Sequence, residues 1–234
     1  MDTFLRERNL IGDEKLDILK NSSVAVFGLG GVGSYVCEAL CRGGVGKLLL
    51  CDNDVVVEHN INRQLFALHS TIGQLKTQAA SDRLKDINPE IELVLRSEYY
   101  SAENENTFDL SSYDYVADCI DSVTSKIRLI VNAKNSGVPI ISSMGTGNKL
   151  YQNFEISDIY KTEVCPLAKV LRHELKKRNI TNLKVVYTKE PPLKPLFADE
   201  TKRKQTPASI SYAPATAGLL IAGEIIRNIL KVGL

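Results

Sequence analysis

The feature that most constrains this chain is a run of glycines between a β-prone stretch and a helical one. Val24-Ala-Val-Phe-Gly28 reads as a short buried strand, Gly28-Leu-Gly30-Gly31-Val-Gly33-Ser34 follows, and a helical pattern continues to about Arg42. Lys47-Leu-Leu-Leu-Cys51-Asp52 is the next strand. A strand, glycine loop, helix and strand in this order open a doubly wound sheet. Glycines at the loop let backbone N–H groups approach a phosphate at the positive end of the helix. Gly28, Gly30 and Gly33 fit the dinucleotide fingerprint. Asp52 lies 24 positions after Gly28, where a carboxylate can accept from ribose hydroxyls. A tight turn with no ligand is the bland alternative, and the joint presence of strand, loop, helix and acid weighs against it. The fingerprint alone does not separate a nicotinamide site from an ATP site.

The rest of the chain continues the pattern. Residues 73–87 read as an amphipathic helix ended by Asn88-Pro89, Ile91–Arg96 as a third strand and Tyr113–Asp118 as a fourth. A helix over 124–136 and a strand over Val138–Ser143 follow. Strands alternating with helices across short loops predict an α/β fold with a doubly wound, mostly parallel Rossmann-like sheet covered on both faces. The last third predicts a C-terminal α/β extension. It has a strand over Leu150–Ile156, a helix over Pro166–Arg178 with proline in its first turn, a strand over Leu183–Thr188 and a closing helix from Pro214 to about Leu230. Residues 189–208 hold four prolines and a charged run, so a loop is expected there, mobile over 194–206. No repeat or linker divides the chain. One domain is expected over 1–234, with a nucleotide-binding core in 1–145 and a substrate-binding and dimer part in 146–234.

Composition excludes several classes. At 44% hydrophobic and 24% charged residues, the bulk of the chain is neither disordered nor fibrous. No apolar run reaches the roughly 18 residues that span a bilayer. The charged start, MDTFLRERNL, lacks an apolar signal core, and the five cysteines are an odd count. A reduced, cytoplasmic protein with no membrane partner is the expectation. The net charge of +1 hides an asymmetry. Residues 161–205 hold 12 Lys/Arg against 5 Asp/Glu, a net +7 on a body of −6. A basic segment on an acidic body predicts a polyanionic partner, and Arg172, Lys176, Lys177, Arg178, Lys202, Arg203 and Lys204 are the candidates to meet it.

Three features favour ATP over a nicotinamide. Gly30-Gly31 is doubled, and Asp52 is followed by Asp54. Asn60-Ile-Asn-Arg63-Gln64 sets amides and a guanidinium just past the ribose acid, donors suited to triphosphate oxygens. Gly73-Gln-Leu-Lys76 puts a lysine at a helix start near the same crevice. Asp121, in Asp118-Cys-Ile-Asp121-Ser122, ends the fourth strand at the sheet's carboxyl edge, where a carboxylate can hold Mg²⁺ for a nucleoside triphosphate.

With these residues in place, the chain resembles the ThiF/MoeB/E1-type adenylating enzymes over nearly its whole length. The resemblance implies that Gly28, Gly30, Gly31, Gly33, Asp52, Asp54, Asn60, Arg63, Gln64, Lys76, Asp121 and Ser122 bind ATP. It also implies that Asn60, Arg63 and Lys76 contact phosphates and Asp121 binds Mg²⁺. An N-terminal arginine reaches the partner subunit's ATP in that superfamily. Arg6, in Phe4-Leu-Arg6-Glu-Arg8, fits better than Arg8, the bland alternative being a solvated helix. Arg63, Lys76, Asp121 and Arg6 are the catalytic candidates, in a homodimer. The C-terminal blocks Gly145–Lys149, Asp158–Thr162, Val164–Ala168, Lys184–Glu190 and Ala217–Glu224 resemble the tRNA threonylcarbamoyladenosine dehydratase branch. That branch implies ATP-dependent cyclisation of a modified adenosine in a tRNA anticodon loop, and leaves open whether a sulfur-relay protein assists.

Departures and rivals follow from particular residues. Activators of ubiquitin-like proteins often carry two C-x-x-C pairs on zinc. This chain has no C-x-x-C, so no zinc is expected, and Cys37 and Cys41 read as core thiols. Cys165 is the one cysteine that the pattern sets outside the apolar core, before a helix start where a thiolate could be stabilised. His59, His69 and His173 are dispersed and read as loop or surface residues. Tyr99, Tyr100, Tyr187 and Tyr212 could stack on bases, with packing the plainer reading. The rival functions are adenylation of a sulfur carrier's C-terminal glycine, a noncatalytic nucleotide-dependent binding module and, more distantly, a nicotinamide dehydrogenase.

Overall fold

The computed structural model describes residues 3–197 and 207–232. Two short helices, α1 (Leu5–Ile11) and α2 (Asp13–Lys20), precede the first strand. The glycine unit then forms as expected, with β1 (Ser23–Phe27), α3 (Gly33–Arg42) and β2 (Lys47–Cys51). There follow α4 (Lys76–Ile87), β3 (Glu92–Arg96), β4 (Tyr115–Asp118), α5 (Val123–Asn135) and β5 (Ile140–Ser143). The last third adds β6 (Phe154–Asp158), α6 (Pro166–Lys176), β7 (Lys184–Thr188) and α7 (Tyr212–Ile229).

The seven strands form one sheet in the order β3-β2-β1-β4-β5-β7-β6. All pairings are parallel except that of β6 with β7. The chain winds outward from β1 through β2 to β3, then crosses to β4 on the other side of β1. The switch between β1 and β4 opens a crevice at the carboxyl edge, the usual ligand position in such sheets. Alternation along the strands sends side chains to two cores. Val24, Val26, Leu48 and Leu50 pack with residues of α3, α4 and α7, while Ala25, Phe27, Leu49 and Val185 pack with residues of α5 and α6.

Several expected boundaries shift, each for a local reason. The helix expected from residue 73 starts at Lys76, because Gly73 is left-handed (φ +87°) and its neighbours Val55 and Leu75 form a β-bridge. The strand expected over Leu150–Ile156 lies at Phe154–Asp158. The N–H groups of Leu150 and Tyr151 donate instead to the Glu190 carboxylate, at 2.7 and 3.0 Å, and so have no ladder partner. The closing helix starts at Tyr212 and takes Pro214 in its first turn, where a missing N–H is harmless. The helix expected to Arg178 stops at Lys176, with Asn179 left-handed (φ 58°) beyond it. Cys165 does not stand outside the core: it is 4% exposed and packs in the α5–α6 cluster. The expected mobile loop falls mainly on 198–206, outside the described residues. No helix among the described residues is long and apolar enough to cross a membrane.

Candidate active site

A cleft of about 550 Å³ opens along the carboxyl edge, with walls from the segments after β1, β2, β3, β4 and β5 and from the start of α7. Gly28 turns the chain off β1 at φ +88°, and a Cβ there would sit 2.7 Å from the Cys119 carbonyl oxygen. Only glycine lets the loops after β1 and β4 meet so closely. Gly33 has a different task. A Cβ on it would lie 1.8 Å from the Gly28 carbonyl oxygen, so it seats α3 against the turn without lining the cleft. Gly30 and Gly31 do line it, which leaves backbone at the amino end of α3 open to a ligand.

Asp52, just past β2, accepts from the Leu29 N–H at 2.6 Å and the Asp54 N–H at 2.9 Å. Burial raises its carboxyl above the ordinary aspartate range, against the pull of nearby Lys76 and those N–H groups. Lys76 opens α4 with its side chain 7% exposed, and its Nζ pairs with Asp54 at 2.6 Å and stands 3.8 Å from Asp52. This ammonium is set in a largely dry site, the setting in which a cation acts most strongly on a phosphate.

The connection from β2 to α4 supplies the remaining donors. The Asn60 carbonyl accepts from the N–H groups of Arg63 (3.0 Å) and Gln64 (2.9 Å), and the Leu65 N–H donates to Ser34 Oγ on α3 at 3.1 Å. Asn60 and Gln64 are buried and line the cleft with Arg63. The Arg63 guanidinium donates to the His59 carbonyl (2.7 Å) and Asn62 Oδ1 (2.9 Å), and burial lowers its pKa. None of these contacts is an ion pair, so the guanidinium charge is uncompensated among the described residues.

Asp121 lies across the cleft, exposed and without an ion-pair partner among the described residues. The loop that carries it is held from below. Asp118 Oδ1 accepts from the Ile120 N–H at 3.2 Å, while Oδ2 accepts from Lys126 Nζ at 2.8 Å and Ser142 Oγ at 2.7 Å. Asp118 and Lys126 are both fully buried. Beside them Cys119 is pushed up to about 12, chiefly by burial, and is a poor nucleophile for a residue that lines the cleft.

The structure thus brings Gly28, Gly30, Gly31, Asp52, Asp54, Asn60, Arg63, Gln64, Lys76 and Asp121 to one cleft. It places Ser122 outside the lining, where its Oγ meets the Tyr99 hydroxyl at 2.7 Å. Arg6 lies exposed on α1 and does not line the cleft of its own chain. Arg172 donates to the Thr162 carbonyl at 2.9 Å, Lys177 and Arg178 pair with Glu174 at 2.8 and 2.7 Å, and Lys176 is exposed. Lys202, Arg203 and Lys204 lie outside the described residues.

Sequence reasoning missed part of the wall. His59, Glu98, Tyr99, Thr146, Gly147, Pro207, Ser209 and Pro214 line the cleft. Position after β3 and β5 could have indicated Glu98, Tyr99, Thr146 and Gly147, since ligands in open α/β sheets collect at carboxyl ends. Nothing local indicated Pro207 and Ser209. They arrive through Asn148, which donates its N–H to the Ala208 carbonyl and accepts the Ala208 N–H on Oδ1, both at 2.7 Å, while its carbonyl accepts from Leu193 at 2.8 Å. Asn62 Nδ2 donates to the Ser209 carbonyl at 3.1 Å from the other side.

A crevice of this geometry, with a glycine turn, a buried acid, two cations and an opposed carboxylate, defines a nucleotide-dependent α/β enzyme. A match to the ThiF family spans residues 4–234, and the chain belongs to that family. It is 42% identical to the tRNA threonylcarbamoyladenosine dehydratase of Bacillus subtilis, over 97% of this chain and 94% of that protein. It is 34% identical to the enzyme of the same name from Haemophilus influenzae, over 93% and 89%. Among solved structures, the Escherichia coli tRNA N6-threonylcarbamoyladenosine dehydratase TcdA in complex with ATP superposes with a TM-score of 0.89 at 28% identity, covering 98% of this chain and 94% of that one.

Proposed function

We propose that this chain uses ATP to dehydrate N6-threonylcarbamoyladenosine in a tRNA anticodon loop. The observation that carries the reading is the convergence of Asp52, Arg63, Lys76 and Asp121 on one cleft, in a chain so similar over its full length to dehydratases of that nucleoside. The chemistry needs ATP because a carboxylate would have to expel oxide. Attack of the threonyl carboxylate on the α-phosphorus displaces pyrophosphate and makes an acyl adenylate, whose leaving group is AMP. The neighbouring ureido nitrogen then closes a hydantoin ring, loses its proton and releases AMP. Oriented neighbours reach effective molarities of about 10⁵ M or more, so ring closure needs little beyond positioning.

The residues divide the work. Asp52 accepts from ribose hydroxyls, and the glycine turn gives backbone donors to phosphate. Arg63 and Lys76 offset charge developing on the phosphates. Asp121 is a carboxylate with no ion-pair partner among the described residues that lines the same cleft as these cations, which fits a Mg²⁺ held by one side chain and by phosphate oxygens. Bound there, the ion would neutralise phosphate charge. A nucleotide core over 1–145 and a substrate and dimer part over 146–234 are supported by Thr146, Gly147, Pro207, Ser209 and Pro214, which line the cleft from the C-terminal part. Arg6 fits this scheme as a donor to the second site of a homodimer. The internal nitrogen acceptor makes a sulfur-relay partner unnecessary for the ring closure itself. Free cysteines throughout the described residues suit a reducing, cytoplasmic setting.

The test is incubation with ATP, Mg²⁺ and tRNA bearing the modification, followed by mass analysis of released nucleosides. Loss of one water from that nucleoside, dependent on ATP, is expected. ATP turnover with no such loss overturns the substrate assignment. Pyrophosphate exchange that requires a small carrier protein and ignores tRNA would replace it with carrier adenylation.

A further inference from the structure

The outward face of α6 carries cations and no carboxylate. Lys169, His173 and Lys176 recur at i, i+4 and i+7, and all three are exposed. The opposite side, Ala168, Leu171 and Leu175, is buried in the core. The one acid of the helix, Glu174, is occupied by Lys177 and Arg178 at 2.8 and 2.7 Å, and Arg172 turns inward to Thr162. Of the basic residues expected from sequence in this helix and its end, the structure leaves Lys176 uncommitted. It adds Lys169, which lies in the basic segment 161–205 and is not among the candidates named from sequence. Neither lysine has an acidic partner among the described residues. Two uncompensated ammonium groups therefore stand about 10 Å apart along a rigid helix. The helix is anchored at its amino end by Cys165, its N-cap residue, which is buried in the α5–α6 core and whose carbonyl accepts from the Lys169 N–H at 3.1 Å.

We propose that the Lys169–His173–Lys176 stripe is a docking surface for the phosphate backbone of an RNA, holding it while the cleft acts on one nucleoside. This rests on the RNA substrate proposed above. Long cationic side chains on a fixed helix suit a regular row of phosphates, and each contact releases condensed counterions. An acidic protein surface would feel the same field, and the test separates the two.

The experiment compares Lys169→Gln/Lys176→Gln with Lys177→Gln/Arg178→Gln, a control that removes the same charge from the Glu174-paired positions. Binding of modified tRNA is followed by anisotropy over a salt series, and ATP binding by calorimetry. The stripe variant is expected to lower the slope of log affinity against log salt by about 1.4 and to weaken binding roughly 20-fold at 0.1 M salt. The control should shift by less than about threefold, as the phosphate contacts that set the slope are made along the stripe and not by the two side chains held on Glu174. ATP affinity should be unchanged in both. Equal losses in the two variants, or an unchanged slope in the stripe variant, overturn the proposal, as does an unmodified chain that binds no tRNA and retains an acidic protein instead. Should the unmodified chain bind tRNA through the stripe yet release no water from the nucleoside, the function fails and the surface stands. Should it turn over normally while the stripe variant keeps its KM for tRNA, the surface fails and the function stands.

Discussion

At the scale of single residues, the cleft depends on atoms that are missing as much as on atoms that are present. Gly28 combines a left-handed φ with a neighbour so close that a Cβ on it would sit 2.7 Å from the Cys119 carbonyl oxygen. Gly28→Ala must therefore push the loops after β1 and β4 apart, on top of the roughly 1–2 kcal/mol that a side chain costs in that conformation. Calorimetric titration should show ATP affinity falling at least tenfold, with a lower melting temperature. A variant that binds ATP as before would mean that the nucleotide does not depend on this turn. Asp52 adds a pH dependence. Burial raises its carboxyl, so on acidification it takes up a proton at a higher pH than an ordinary aspartate. Since the ionised form is the acceptor, ATP affinity should weaken on acidification already above the ordinary aspartate range, and a flat titration there would count against its ribose role. Glycine and acid were both legible in the sequence because each obeys a local spacing. The shift of Asp52 was not, because burial is set by residues far away in the chain.

At the scale of elements, the alternation of strands and helices was legible in hydrophobic pattern, and the errors fell where a side chain outbids the ladder. Glu190 takes the N–H groups of Leu150 and Tyr151, which strand propensity alone cannot reveal. The Asp118–Lys126–Ser142 junction was equally hidden. It binds the end of β4, the first turns of α5 and the strand β5 through one buried carboxylate. Lys126→Met should cost about 3–5 kcal/mol of stability by leaving a charge unpaired in the core. Chemical denaturation would measure it, and Asp118→Leu with Lys126→Met should recover part of the loss, since a buried pair is often replaceable by apolar packing. If the single variant is as stable as the parent, the ion pair is not what holds the Asp121 loop.

At the scale of the whole molecule, the position of Arg6 carries the most weight. It belongs to α1, a helix of 7 residues with none buried, and Leu5 and Leu10 on it are 52% and 84% exposed. So short a helix is marginal without tertiary packing, and Arg6 does not reach the cleft of its own chain. A two-fold dimer would give this helix a packing surface and could carry Arg6 to the neighbouring phosphates. Mixing settles the matter. Arg6→Ala and Asp121→Asn homodimers should each be nearly inactive, because every site lacks one group. In a statistical mixture half of the molecules are heterodimers. Each would hold one site with both defects and one with neither, since an intact Asp121 meets the other chain's intact Arg6. Unfolding and refolding the two variants together should therefore restore about a quarter of the parent activity in a symmetric two-site dimer. Were Arg6 to act on its own chain's site, every site in the mixture would stay defective and activity would remain at the level of the separate variants.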